Sequence, residues 1–191
     1  ASWGLSLFAV LLGLARPLAT HISSNKTTLT SLGGRHRRNL PGDERKVIRI
    51  QRLISHSNGH ALALQCDIRD EASVAAAVQQ AVARFGGIDI LVNNASAISL
   101  TPTPTTPMKR FDLMFGVNVR GTYCCTQACL EELIKSAKAG RNPHVLNMSP
   151  PLSMREHWFK GHVAYTMAKY GMSECTLGHA GEFRPYGIGV N

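Results

Sequence analysis

Residues 86–96 place the strongest constraint on the fold of this chain. They read Gly-Gly-Ile-Asp-Ile-Leu-Val-Asn-Asn-Ala-Ser, a short apolar run that ends in two asparagines and small residues. A nearly continuous apolar run of this length is typical of a parallel strand that is covered on both faces. Residues just past the carboxyl end of such a strand lie where open α/β sheets bind their ligands. The segment therefore predicts an α/β fold with a ligand site beside Asn93 and Asn94, and it favours an enzyme.

Strand-like and helix-like segments alternate from about residue 61 onward. The predicted strands cover residues 61–66, 88–92, 144–148 and 187–191. The predicted helices cover residues 73–85, 108–134 and 163–183. Asp70 can cap the first of these helices, and Gly86 ends it. Three prolines exclude a regular helix from residues 101–107, which we predict to be a loop. The alternation predicts β-α units on a parallel sheet.

The first 55 residues differ in composition from the rest. Residues 1–42 contain no acidic residue but carry several basic ones among many serines and threonines, and residues 5–15 are almost wholly apolar. Such a run suits the core of a signal peptide and is short for a membrane span. We predict a targeting-like leader or a non-native start over residues 1–55, poorly ordered or helical, and a partial α/β domain over residues 56–191. A membrane anchor is the alternative, but we do not expect membrane contact through the leader.

The net charge of +9 raises the question of nucleic-acid binding. The basic residues between positions 35 and 52 have no interleaved aromatic side chains and match no nucleic-acid motif, so we predict a solvated basic segment and no nucleic-acid partner. The five cysteines include no C-x-x-C pair, and no predicted helix carries a His-x-x-x-His pair. This pattern predicts reduced thiols, no disulfide framework and no metal site.

Tyr165 and Lys169 form the second informative feature. Their four-residue spacing on a predicted helix places the phenol and the ammonium on the same face, one turn apart. A neighbouring cation favours the ionised phenolate and makes the hydroxyl more acidic. A tyrosine of this kind suits general acid-base catalysis on an alcohol or a carbonyl.

Three further segments accompany this pair in a definite order. Asn93-Asn94-Ala95-Ser96 comes first, Asn118-Val-Arg-Gly121 follows, and Asn147-Met-Ser149 ends the strand before the Tyr165 helix. The combination resembles the short-chain dehydrogenase/reductase family over residues 56–191. Residues 86–100, 147–152 and 157–160 further resemble the hydroxysteroid dehydrogenase-like branch of that family.

The resemblance implies an oxidoreductase that transfers hydride between NADP(H), with NAD as the alternative, and a hydroxyl or carbonyl of a lipid-like small molecule. It implies Tyr165 as the proton donor and acceptor, Lys169 as the residue that acidifies the phenol, and Asn118 as the holder of a water in a proton relay. The cofactor-binding residues that it implies are Asp67 and Ile68 beside the adenine, Asn94 and Ala95 near the ribose, and Lys169 on the nicotinamide ribose.

The catalytic serine has two candidates. Ser153 lies 12 residues before Tyr165, close to the spacing of the resembled family, whereas Ser149 lies 16 residues before it. Ser149 directly follows the predicted strand, as the family's serines do, and we therefore favour Ser149. The alternative is that Ser149 only satisfies backbone groups at the strand end.

One departure qualifies the expected activity. The family's Thr-Gly-x-x-x-Gly-x-Gly turn, which brings the backbone close to the pyrophosphate, does not occur in this sequence. We expect an incomplete doubly wound parallel sheet of the Rossmann-like type. A catalytically inactive fragment or variant that acts by association only is the alternative to an enzyme, and the resemblance also allows a homo-oligomer. The leader favours the mitochondrion, and the resemblance favours the peroxisome.

Overall fold

The computed structural model describes residues 8–13 and 60–191. Most of the predicted leader, residues 1–55, lies outside these residues. The exception is β1, Phe8–Gly13, which forms a strand where we expected a helix or poor order. β1 pairs antiparallel with β2, His60–Gln65, over six residues, so the backbone groups of each strand find partners on the other.

The main sheet is parallel and has three strands within the described residues. β3, Ile90–Asn93, pairs with β4, His144–Asn147, and β4 pairs with β5, Gly189–Val190. The predicted α/β fold with a parallel, Rossmann-like sheet is confirmed. β2 differs from the prediction, because its pairing is with β1 and not with this sheet.

The first helix of the described domain begins and ends as its sequence predicts. α1 spans Glu71–Phe85, and the Asp70 carboxylate accepts a hydrogen bond from the Ala72 amide at 3.1 Å. Gly86 follows in the left-handed conformation with φ of 83°, which glycine adopts without the strain that a β-carbon causes. The cap at one end and the glycine at the other therefore set the length of α1.

The long helix predicted over residues 108–134 is interrupted. α2 spans Met108–Phe115, a π-helical segment covers Gly116–Gly121, and α3 spans Thr122–Lys138. The prediction of one regular helix is wrong at the π-helical segment, where the buried side chain of Asn118 is hydrogen-bonded to the backbone of Ala97 in the loop after β3. α4 spans Val163–Phe183, as predicted. None of the helices that the structure describes is long and apolar enough to cross a membrane.

Two glycines let the π-helical segment approach its neighbours closely. A β-carbon on Gly171 of α4 would lie 2.6 Å from a methyl group of Val119, and one on Gly121 would lie 2.4 Å from a methyl group of Ile68. Distances this short do not occur between packed carbon atoms. Val119 and Gly121 both belong to the π-helical segment. This segment is therefore packed between α4 and the loop that contains Ile68.

We predict that Gly171→Ala lowers the free energy of unfolding by about 1–3 kcal/mol, because the new methyl group overlaps the stiff, β-branched Val119. Gly178 is the matched control on the same helix, since a β-carbon there meets no atom within 4 Å. Gly178→Ala is expected to stabilise the protein by about 0.5–1 kcal/mol. Urea unfolding of both variants measures these changes, and equal effects at the two positions would contradict the packing argument.

The cysteines belong to the core, not to a disulfide framework. All five are free thiols, and Cys125 and Cys129 are both buried on α3, as predicted. Burial raises the pKa of Cys129 to about 12 and holds the pKa of Cys125 well above its usual range. Burial raises the pKa of Cys175 too, but this thiol is only half-buried and so stays accessible.

We predict that iodoacetamide at pH 8 modifies Cys175 of the folded protein much faster than Cys125 or Cys129. A raised pKa leaves little of the reactive thiolate at that pH, and burial blocks access to it. Peptide mass spectrometry after timed labelling measures the three rates, and labelling in denaturant provides the fully reactive control. Comparable native rates at Cys129 and Cys175 would show that the described core is open.

Candidate active site

The ends of β3 and β4 are joined through their side chains. Asn93 and Asn147 are paired in the parallel register, and the Asn93 Nδ2 donates to Asn147 Oδ1 at 2.8 Å. Asn93 Nδ2 also donates to Thr126 Oγ1 on α3 at 3.1 Å, and Asn147 Nδ2 donates to Thr176 Oγ1 on α4 at 2.8 Å. Four side chains thus tie both strand ends to the two helices that flank them.

Threonines extend this network to the π-helical segment. The Thr126 hydroxyl donates to the Thr122 carbonyl, and the Thr122 hydroxyl donates to the Asn118 carbonyl, both at 2.8 Å. All three residues are buried. Sequence reasoning missed the two threonines, although the four-residue spacing of positions 118, 122 and 126 places them on one helical face.

Asn118 lies in the π-helical segment with its side chain fully buried. Its Nδ2 donates to the Ala97 carbonyl at 2.9 Å, and its Oδ1 accepts from the Ala97 amide at 3.0 Å. The side chain therefore satisfies both backbone groups of a buried loop residue just beyond β3. π-helical turns are common at functional sites, and this one brings Asn118 to the carboxyl edge of the sheet.

Lys169 reaches the same edge from α4. Its Nζ donates to the carbonyl of Met148, the residue after β4, and lies 3.2 Å from the sulfur of Met172. Burial lowers the pKa of the Lys169 ammonium. The group is thus partly removed from water and held beside the strand end that carries Ser149.

A cavity of about 480 Å³ opens beside this lysine. Its lining consists of Pro150, Pro151, Ser153, Trp158, His162, Tyr165, Thr166, Lys169 and Tyr170. Tyr165 and Lys169, predicted from their spacing to share a face, therefore line one cavity. The serine in its wall is Ser153, whereas Ser149 lies at the strand end, where its amide donates to the Asn147 carbonyl at 2.8 Å.

Asp67 and Ile68, the predicted adenine-binding residues, lie in the loop between β2 and α1. Ile68 is buried against Gly121 of the π-helical segment. Hydrogen bonds from Arg69 at 2.6 and 2.9 Å hold the pKa of the Asp67 carboxyl below its usual range. Arg120 of the π-helical segment also donates to the Arg69 carbonyl. These contacts bring the Asp67 loop next to the segment that carries Asn118.

Asn94 and Ala95, predicted to lie near the ribose, directly follow β3. The Asn94 amide donates to the Val92 carbonyl at 3.2 Å, and Ala95 is half-buried against the core. The parallel register of β3 and β4 places Asn94 at the same edge as Met148, whose amide donates to the Asn93 carbonyl at 3.0 Å. Asn94 and Ala95 thus lie at the same end of the sheet as the cavity.

A family model for short chain dehydrogenases matches residues 33–191. The chain belongs to the short-chain dehydrogenase family. The match begins upstream of the domain boundary that we predicted at residue 56. Members of this family are oxidoreductases that use NAD or NADP and act on small-molecule substrates.

Curated relatives are similar over about two thirds of the chain. Hydroxysteroid dehydrogenase-like protein 2 of Danio rerio is 58% identical over 131 residues, which cover 69% of this chain and 31% of that protein. The Homo sapiens protein of the same name is 58% identical over 126 residues, which cover 66% of this chain and 29% of that protein. The chain thus spans about a third of the length of these relatives. The predicted resemblance to the hydroxysteroid dehydrogenase-like branch is confirmed.

Solved structures show the same fold. A dehydrogenase from Xanthomonas campestris is 56% identical, with a TM-score of 0.64, over 68% of this chain and 47% of that chain. The 3-ketoacyl-(acyl-carrier-protein) reductase of Brucella melitensis, whose structure contains NADH, is 29% identical, with a TM-score of 0.59, over 66% of this chain and 52% of that chain.

The residues at this edge fit one part of a nicotinamide dinucleotide. The Lys169 ammonium has three donors, and its contacts with the Met148 carbonyl and the Met172 sulfur use two of them, so a hydroxyl group of a ribose can accept from the third. The half-buried Ala95 offers apolar surface at the same end of the sheet. Among residues 60–191 no three histidine, cysteine or acidic side chains form a group that could hold a metal ion.

We predict that Asn118→Ala lowers the free energy of unfolding by about 2–4 kcal/mol, because the Ala97 amide and carbonyl would be left buried without partners. Asn142, exposed in the turn before β4, is the matched control. Asn142→Ala is expected to change stability by less than about 0.5 kcal/mol. Chemical denaturation measures both values, and a loss below about 1 kcal/mol for N118A would contradict the assigned role.

Proposed function

We propose that this chain forms the catalytic part of an oxidoreductase that transfers hydride between NADP(H) and a hydroxyl or carbonyl group of a lipid-like molecule. The observation that carries the proposal is that Tyr165 and Lys169 line one cavity at the carboxyl edge of a parallel sheet. Membership of the short-chain dehydrogenase family supports the reaction class.

Tyr165 supplies the proton chemistry in this proposal. A bound nicotinamide dinucleotide supplies or takes up the hydride at the substrate carbon. In the reductive direction the Tyr165 hydroxyl gives its proton to the substrate oxygen, so that a carbonyl becomes an alcohol. In the oxidative direction the Tyr165 oxygen takes the proton from the alcohol, and the carbon becomes a carbonyl. Each direction moves one proton and one hydride, which balances the two-electron reaction.

Lys169 and Asn118 prepare the site for this transfer. The Lys169 ammonium, held near the strand end by the Met148 carbonyl, places a positive charge on the same helical face as Tyr165. Asn118 holds the loop that follows β3 through its two bonds to Ala97. In the proposed relay Asn118 holds a water that replaces the proton of Tyr165.

The residues that line the cavity favour an apolar substrate. Its wall contains two prolines, Trp158 and the rings of two tyrosines, and Leu152 and Met154 in the adjoining segment are 57% and 83% exposed. Apolar walls bind hydrocarbon by removing its surface from water, at about 25 cal/mol per Å². A few polar groups then fix the orientation of the reacting oxygen. A molecule with a long apolar part and one hydroxyl or carbonyl group fits this description.

The preference for NADP over NAD stays a prediction, and so do the peroxisomal or mitochondrial location and a homo-oligomeric state. The NADH complex of the Brucella melitensis reductase supports a nicotinamide cofactor for this chain. Thermal stabilisation by NADPH and by NADH, compared at equal concentrations, separates the two cofactors. If neither NADPH nor NADH stabilises the protein, the result would favour the alternative, a chain that acts by association only.

We predict that Tyr165→Phe lowers kcat for carbonyl reduction at least about 100-fold, because phenylalanine has no proton to transfer. The apparent affinity for NADPH should remain within about twofold. Tyr123→Phe is the matched control, since Tyr123 lies on α3 and is 51% exposed. The rate of NADPH oxidation with each member of a panel of aliphatic aldehydes and ketones measures kcat. Equal turnover by Y165F and wild type would refute the role assigned to Tyr165.

Alanine variants of Ser149 and Ser153 distinguish which of the two is the catalytic serine. The sequence favours Ser149, whereas the cavity wall contains Ser153. We predict that the alanine variant of the serine that bonds the substrate oxygen loses about 10- to 100-fold in kcat. The other variant should remain within about threefold of wild type. A loss confined to S153A would overturn our preference for Ser149.

A further inference from the structure

Tyr170 makes an unusual pair of contacts with the segment between β4 and α4. Its hydroxyl donates to the Ser153 carbonyl at 2.5 Å and accepts from the Ser153 amide at 3.0 Å. One side-chain oxygen therefore satisfies both backbone groups of a single residue. Ser153 and Tyr170 both belong to the cavity wall.

The Ser153 segment depends on such contacts for its position. Residues 148–155 form neither helix nor strand, so no regular ladder of backbone hydrogen bonds orders them. Pro150 and Pro151 have no amide hydrogen and cannot anchor the segment as donors. The bonds from Tyr170 join this segment to α4, one residue after Lys169.

The ring of Tyr170 is held independently of its hydroxyl. The Phe159 and Tyr170 rings lie 5.0 Å apart, tilted by 50°, a favourable arrangement for two aromatic side chains. Removal of the hydroxyl alone leaves this ring contact in place. The hydroxyl is therefore a separable element that acts on the loop and not on the packing of α4.

We propose that Tyr170 is a positioning residue, which holds Ser153 against α4 and so shapes the substrate side of the cavity. The consequence for substrate binding depends on the proposed oxidoreductase function. Without the hydroxyl, the Ser153 segment moves away from α4 for part of the time, and the wall is complete in only a fraction of the molecules. Substrate affinity falls to that fraction of its value for the complete wall, whereas Tyr165 and Lys169 keep their places on α4.

The test compares Tyr170→Phe with Tyr186→Phe in the full chain. Tyr186 is 50% exposed in the short 3₁₀ helix after α4 and serves as the matched control. Amide hydrogen exchange is followed by NMR at Ser153, with the amide of Trp158, which donates to the Arg155 carbonyl at 3.1 Å, as an internal reference. KM and kcat are measured with NADPH and a medium-chain aliphatic aldehyde.

For Y170F we expect exchange at Ser153 to be at least about fivefold faster, because its acceptor is gone. Exchange at Trp158 should stay within about twofold. KM for the aldehyde should rise at least about fivefold while kcat stays within about twofold, and Y186F should match wild type throughout. A general loss of stability would instead raise exchange at both amides.

Unchanged exchange at Ser153 in Y170F would overturn the proposal, and so would faster exchange with an unchanged KM. A wild-type protein without turnover would refute the proposed oxidoreductase function instead. In that case the exchange rate of Ser153 still decides whether Tyr170 holds the segment. The failure of one proposal is thereby distinguished from the failure of the other.

Discussion

The hydrogen bond between the Asn93 and Asn147 side chains joins the two strands at the edge where the site is built. Both amides are buried, so each requires partners, and Thr126 and Thr176 provide them from α3 and α4. A buried polar group that loses its partner costs about 1–3 kcal/mol, which makes a fully satisfied network specific for one arrangement. The positions of both helices relative to the strand ends therefore depend on this pair.

The π-helical segment is the second part of this arrangement. A regular α-helix would continue without a break through position 118. Here the two hydrogen bonds between the Asn118 side chain and the Ala97 backbone stabilise a π-helical interruption. Gly121 allows Ile68 to pack on the segment from one side, and Gly171 allows α4 to pack on Val119 from another. The interruption thus links the loop after β3, the loop after β2 and α4.

The site combines a polar edge with an apolar cavity. Lys169 lies between the two, since its ammonium contacts the Met148 carbonyl and its side chain also lines the cavity with Tyr165. Partial burial lowers the pKa of this ammonium, because the charged form is less well solvated there. A charge in such surroundings acts more strongly on its neighbours than it would in water.

Local sequence patterns were sufficient for the elements whose boundaries depend on nearby residues. Asp70 and Gly86 delimit α1, and the four-residue spacing of Tyr165 and Lys169 places them on one face of α4. The apolar run before Asn93 and Asn94 likewise indicated the strand, and its combination with the later motifs indicated the family. The break at Asn118, the pairing of β2 with β1, and the attachment of Ser153 to Tyr170 depended on contacts between residues far apart in the chain. Such contacts leave no periodic pattern in the sequence, because their partners become neighbours only when the chain has folded.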